Sequence, residues 1–161
     1  MKKNLILLAI LMFLGTSYSI AQDARLLKAA DKSYSDGEKD YNKKRYDEAV
    51  PNLEIVVENI DVRDVSRKYL IMRFEANVML IDIYFNKLNN LRDGCVALTN
   101  FVDDINAIKS SGIFKAKDIY KYLELEKDYA TYITQCENFQ SIDEYKTDFE
   151  KIFDEEFGEE E

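Results

Sequence analysis

Few residue types in this 161-residue chain could do chemistry. They are two cysteines, 31 Asp or Glu, eleven tyrosines and 22 Lys or Arg, with no His and no Trp. Without His there is no Ser-His-Asp or Cys-His pair, no imidazole metal ligand and no imidazole pH switch. Two Cys cannot close a four-thiolate zinc site. The sequence has no Gly-rich phosphate loop, no G-x-S-x-G elbow and no calcium loop with ligands at alternate positions. The paired carboxylates Asp103-Asp104 and Glu124-x-Glu126 fit one solvated helix face. We therefore expect no catalytic residue, no cofactor and no metal, and the chain reads as a non-enzyme.

The elements that must position the remaining candidates begin after residue 21. Lys2 and Lys3 precede an apolar run from Leu5 to Leu14, and Ser19-x-Ala21 follows as a small-residue site. This is the pattern of a bacterial Sec signal peptide, with cleavage after Ala21. A spanning helix needs about 20 apolar residues, roughly twice this run. No Cys follows the run to take a lipid. The expected domains are a cleaved leader at 1–21, a helical domain at 22–153 and an acidic tail at 154–161. The mature chain should be periplasmic or secreted, without a membrane span, and a mature mass that still includes Met1 would refute this. Removing the leader changes the formal charge from −9 to −11, with six acids in the last eight residues. That balance disfavours nucleic acid and anionic membrane. The tail reads as a solvated end, or as a docking segment for a basic partner.

Apolar residues recur every three to four positions and one Pro is present, so the fold class is all-α. About six helices are expected. The first spans about 23–43, with Leu27, Ala30, Tyr34, Gly37 and Tyr41 on one stripe. The second spans about 46–60, with Pro51 near its start. The third spans about 67–88, with Leu70, Phe74, Val78, Ile81 and Phe85 on one face, and Asn89-Asn90 ends it. The fourth spans 91 to about 108, and Ser110-Ser111-Gly112 follows as a loop. The fifth spans about 115–136 and is apolar on two sides, which suggests a helix packed between neighbours. Ser141-Ile142-Asp143-Glu144 is a capping box that opens the sixth, with Ile142, Tyr145, Phe149, Ile152 and Phe153 inward.

Cys95 then falls near the start of helix four and Cys136 near the end of helix five, ends that meet in an antiparallel pair. The arms are unequal, and at ~1.5 Å per residue the mismatch is roughly 12 Å, which an early irregular turn in helix five would absorb. Export favours a Cys95–Cys136 disulfide. Two separate buried thiols are the alternative. No C-x-x-C spacing or basic neighbour makes the pair a redox catalyst.

Residues 30–60 resemble a tetratricopeptide repeat. Gly37 and Ala49 stand twelve residues apart at its two small packing positions, and Tyr41 fills a late aromatic position. Tyr46-Asp47-Glu48-Ala49 looks like its interhelix turn, and Ala49 to Leu53 matches its small-to-large step. Asp82, Gly94 and Leu98 repeat that spacing less closely, at a period of 45 residues instead of 34. Ser33 and Asp61 replace the motif's usual large residue and closing Pro. A generic antiparallel bundle is the alternative. The resemblance implies helical hairpins in a right-handed array, with Gly37 packed against Ala49. It also implies a non-enzymatic protein–protein interaction or scaffolding module in the bacterial envelope. Alternatives are a compact helical structural subunit of an envelope assembly, or a small-ligand carrier.

In that family the inner face of each first helix binds a partner segment. By position it would hold Tyr34, Glu38, Tyr41 and Asn42, and then Met79, Ile83, Asn86 and Lys87. With Asp31 and Glu38 there, the face suits a basic or amphipathic protein segment better than a C-terminal carboxylate. Most tyrosines should sit in the core with their hydroxyls at its rim, and some should line a groove.

Overall fold

The structure is a computed structural model that describes residues 24–62 and 66–139. The leader, the capping box, the helix expected at 141–153 and the acidic tail lie outside the described residues. The described residues are helical, with no strand among them. The helices are α1 (residues 24–42), α2 (Tyr46–Asn59), α3 (Arg67–Ile81), α4 (Leu91–Ser110), α5 (Ala116–Asp128) and α6 (residues 130–139). A π-helical segment, Asp82–Lys87, continues α3.

Consecutive helices form antiparallel hairpins, and alternate helices run parallel. In α1 and α3, Tyr34 meets Glu75 and Tyr41 meets Asp82, both at an offset of 41 residues. On the other side of α3, Arg67 meets Asp118 and Phe74 meets Tyr122. So α1, α3 and α5 form one layer, and α2 and α4 cover α3 from the other. The middle helix is α3. It buries Leu70, Met72, Phe74, Ala76, Met79, Leu80 and Ile81, around most of its circumference. A helix apolar on nearly every side must be enclosed. Helix α5, expected to pack between neighbours, touches α3 and α4 and buries Tyr122 alone among its residues.

Both hairpins turn in the same way, 45 residues apart. Lys44 and Asn89 adopt left-handed backbone, at φ 59° and 51°. Around Lys44 the bonds are those of a Schellman closure, with Lys44 N–H donating to Tyr41 O and Arg45 N–H to Asp40 O. Asn90 N–H reaches back to Tyr84 O, a wider closure set by the π turn. The Asn90 side chain then caps α4 by accepting from Asp93 N–H at 3.2 Å. Asn89-Asn90 therefore ends one helix and starts the next, as its composition suggests.

The small residues sit where two helices approach closely. A Cβ built on Gly37 would lie 3.0 Å from Leu53 and 3.2 Å from Asn52, so Gly37 lets α1 approach this stretch of α2. Ala49 is itself fully buried. Gly94 faces the Phe85 ring, which a Cβ would meet at 2.8 Å. Phe85 is backed by Tyr132, with ring centroids 4.5 Å apart. Gly94→Ala should therefore push an aromatic ring that has little room to retreat. Overpacking of this kind typically removes about 1–3 kcal/mol, and the better helix propensity of Ala returns about 1. A net loss on the order of 1 kcal/mol in urea unfolding is expected, partly recovered by a second change, Phe85→Leu.

Cys95 and Cys136 are disulfide-bonded, with Cα atoms 5.5 Å apart. The arm mismatch is absorbed differently from the expectation. The irregular turn lies late, at Tyr129, where α5 ends and α6 begins. Helix α4 also runs on to Ser110.

Candidate functional site

The parallel helices α1, α3 and α5 enclose a surface groove of about 350 Å³. Tyr34, Glu38, Tyr41 and Asn42 come from α1, Phe74, Glu75, Val78 and Met79 from α3, and Lys121, Tyr122 and Leu125 from α5. Their spacing of three to four residues puts each set on one helix face. The floor is aromatic and aliphatic, and the charged members are Glu38, Glu75 and Lys121. Tyr122 anchors the α5 wall, its ring edge-on to Phe74 at 4.9 Å and to Phe114 at 5.9 Å.

Five of the expected face residues come together here: Tyr34, Glu38, Tyr41, Asn42 and Met79. Ile83 does not, and its assignment to an open groove is corrected, because its side chain is fully buried. The cause is the π turn. Its wider spacing rotates every side chain after Ile81 away from the position that a 3.6-residue period assigns. Asn86 and Lys87 are exposed and lie beyond the residues that line the groove. Asn86 donates to Asp82 Oδ1 at 2.9 Å and accepts from the Tyr132 hydroxyl at 3.1 Å. Lys87 Nζ lies 3.6 Å from Asp82 Oδ1. Sequence reasoning missed Glu75 and the α5 wall. Tyr122 and Leu125 shared a stripe in the sequence, but nothing there indicated which helix they would face.

Tyrosine hydroxyls tie neighbouring helices together through carboxylates. Tyr34 donates to Glu75 Oε2 at 2.8 Å, Tyr41 to Asp82 Oδ2 at 2.9 Å and Tyr84 to Glu54 Oε1 at 2.6 Å. Burial, reinforced by Asp82, pushes the Tyr41 phenol up to about 12. Burial and Glu75 raise that of Tyr34. These hydroxyls stay protonated donors across the physiological range and fix the carboxylate positions on the groove rim. Asp31, also expected on this face, instead pairs with Lys68 at 2.5 Å and accepts from the Tyr69 hydroxyl at 3.1 Å.

Behind the groove floor lies a buried polar cluster. Arg73 pairs with Asp104 Oδ1, its Nε donates to Val57 O at 3.1 Å, and Asn77 Nδ2 donates to Asp104 Oδ2 at 2.7 Å. Asp104 and Asn77 are fully buried. The surface position expected for Asp104 is thereby corrected: it joins α4 to α3. Burial pushes its carboxyl up to about 6, against the downward pull of Arg73 and Asn77. A carboxyl with a raised folded pKa binds more protons folded than unfolded, so its contribution to stability is greatest below the unfolded value and is lost as pH rises through the folded one. From pH 4 to 7 the protein should lose up to about 3 kcal/mol relative to Asp104→Asn, at 1.36 kcal/mol per pKa unit. Urea unfolding of both proteins at the two pH values measures this.

Among the described residues, no group of three or more carboxylate or thiol side chains is placed to hold a metal ion. No described helix is long and apolar enough to cross a membrane. No family model, curated protein or solved structure matches the chain.

Proposed function

We propose that the protein is an exported, non-enzymatic interaction module of the tetratricopeptide-repeat type that takes a segment of another envelope protein into the α1–α3–α5 groove. The groove carries this reading: three parallel helices give it an aromatic and aliphatic floor and a rim with more acid than base. Such a surface is complementary to an amphipathic segment, whose apolar side would cover Tyr34, Phe74, Met79 and Tyr122 while Lys or Arg meets Glu38 and Glu75. The two hairpin turns at a 45-residue spacing support a repeat. The leader pattern and the disulfide are both compatible with export.

The test is capture from envelope extract with immobilised protein, comparing the wild type with a Glu38→Lys, Asn42→Lys variant. Both positions are exposed, so the substitutions should leave the fold intact. The proposal expects a discrete partner on the wild type and its loss on the variant. No partner, or equal capture by both proteins, would overturn it.

A further inference from the structure

We infer that the Cys95–Cys136 disulfide is an exchangeable lock on the α5 wall of the groove, opened by an external dithiol. The inference rests on the groove being the binding site. Among the described residues, the segment α5–α6 has two buried anchors, Tyr122 in α5 and Cys136 in α6, and its other core contacts, such as Leu123, Leu125 and Ile133, are half-buried. Between these anchors, half-buried Tyr129 and Tyr132 lean on Phe101 and Phe85. Segments with few buried contacts open locally well before the core does. The disulfide therefore does much of the fastening at the far end of this segment.

The bond is nearly buried, with Cys95 and Cys136 5% and 7% exposed, so an attacking thiol would have to reach it from one side. Both cysteines line an open depression of about 170 Å³ between α4 and α6, with Leu98, Val102 and Ile133 at its sides. The incoming thiolate attacks one sulfur, the Cys95–Cys136 bond breaks, and the other sulfur leaves as a thiolate and takes a proton. The second thiol of the dithiol then attacks the mixed disulfide. Two electrons and two protons pass to Cys95 and Cys136, and the dithiol becomes a disulfide. The nucleophile comes from outside, so neither cysteine needs a lowered pKa. Reduction frees the end of α6 from the first turns of α4. The α5 wall, with Lys121, Tyr122 and Leu125, then opens more often, and the groove binds its occupant less well.

The test exposes the mature protein to dithiothreitol without denaturant and follows thiol release and amide hydrogen exchange together. A Cys95→Ser, Cys136→Ser variant is measured beside it. We expect release of both thiols from the folded protein and a roughly tenfold or greater loss of protection in α5 and α6, with α2 and α3 within about twofold of the oxidised protein. A bond that resists reduction until the whole protein unfolds would overturn the inference. So would unchanged protection in α5 and α6, or an equal loss in α3. Capture of a partner by the oxidised protein is a separate readout, so failure of the lock and failure of the groove reading are distinguishable.

Discussion

Asp104→Ala should lower the unfolding free energy at neutral pH by about 3–5 kcal/mol, the usual effect of removing one member of a buried ion pair. Arg73 would keep Val57 O at 3.1 Å and Asn100 Oδ1 at 3.4 Å but lose its counter-charge, while its guanidinium remains buried. Asn77 would lose the acceptor of its amide N–H, and its Oδ1 already has no partner. Such a loss is a large share of a typical domain's stability of about 5–15 kcal/mol. The penalty comes from the stranded charge, so removing both charges should be milder. An Arg73→Met, Asp104→Leu protein should lie closer to the wild type than either single variant. Urea unfolding of the wild type, Arg73→Met, Asp104→Leu and the double variant checks this. A double variant with the summed loss of the two singles would show that the pair is not coupled.

Phe101→Ala should have a comparable effect, about 3–5 kcal/mol, because a fully buried ring leaves a cavity that its neighbours fill incompletely. Phe101 has no solvent exposure. It stacks on Phe74 at 5.2 Å and meets Tyr129 edge-on at 5.0 Å, linking the groove floor to the break between α5 and α6. The urea midpoint should fall with little change in slope. Tyr120→Ala is the control: that side chain is 68% exposed, and substitutions at such positions usually stay within ±0.5 kcal/mol.

Much of this architecture was legible in the sequence, because apolar period and turn chemistry are local. The expected second helix, 46–60, is found at Tyr46–Asn59, and Leu91 starts the fourth as expected. Asn89-Asn90 marked its turn because Asn tolerates left-handed backbone and caps helices. The cysteine pair was expected from export and from there being only two Cys, near helix ends that meet in an antiparallel pair. Three features were not legible. The π turn preserves the apolar pattern while changing the rotation per residue, and Ile83, assigned to the open face, is buried. The break at Tyr129 carries no Gly or Pro. Asp104 reads as a surface acid beside Asp103, and its burial depends on Arg73, 31 residues earlier. Partners that distant in sequence are set by packing between helices, which a single helix's pattern does not encode.

The groove's role as a binding surface is tested most directly by photocrosslinking in intact envelopes. A photoreactive residue would replace Asn42 on α1 or Lys121 on α5, with Arg92, exposed on α4, as the control position. The account predicts one discrete adduct from Asn42 and from Lys121 and none from Arg92. Absence of an adduct from both groove positions, or an equal adduct from Arg92, would contradict it.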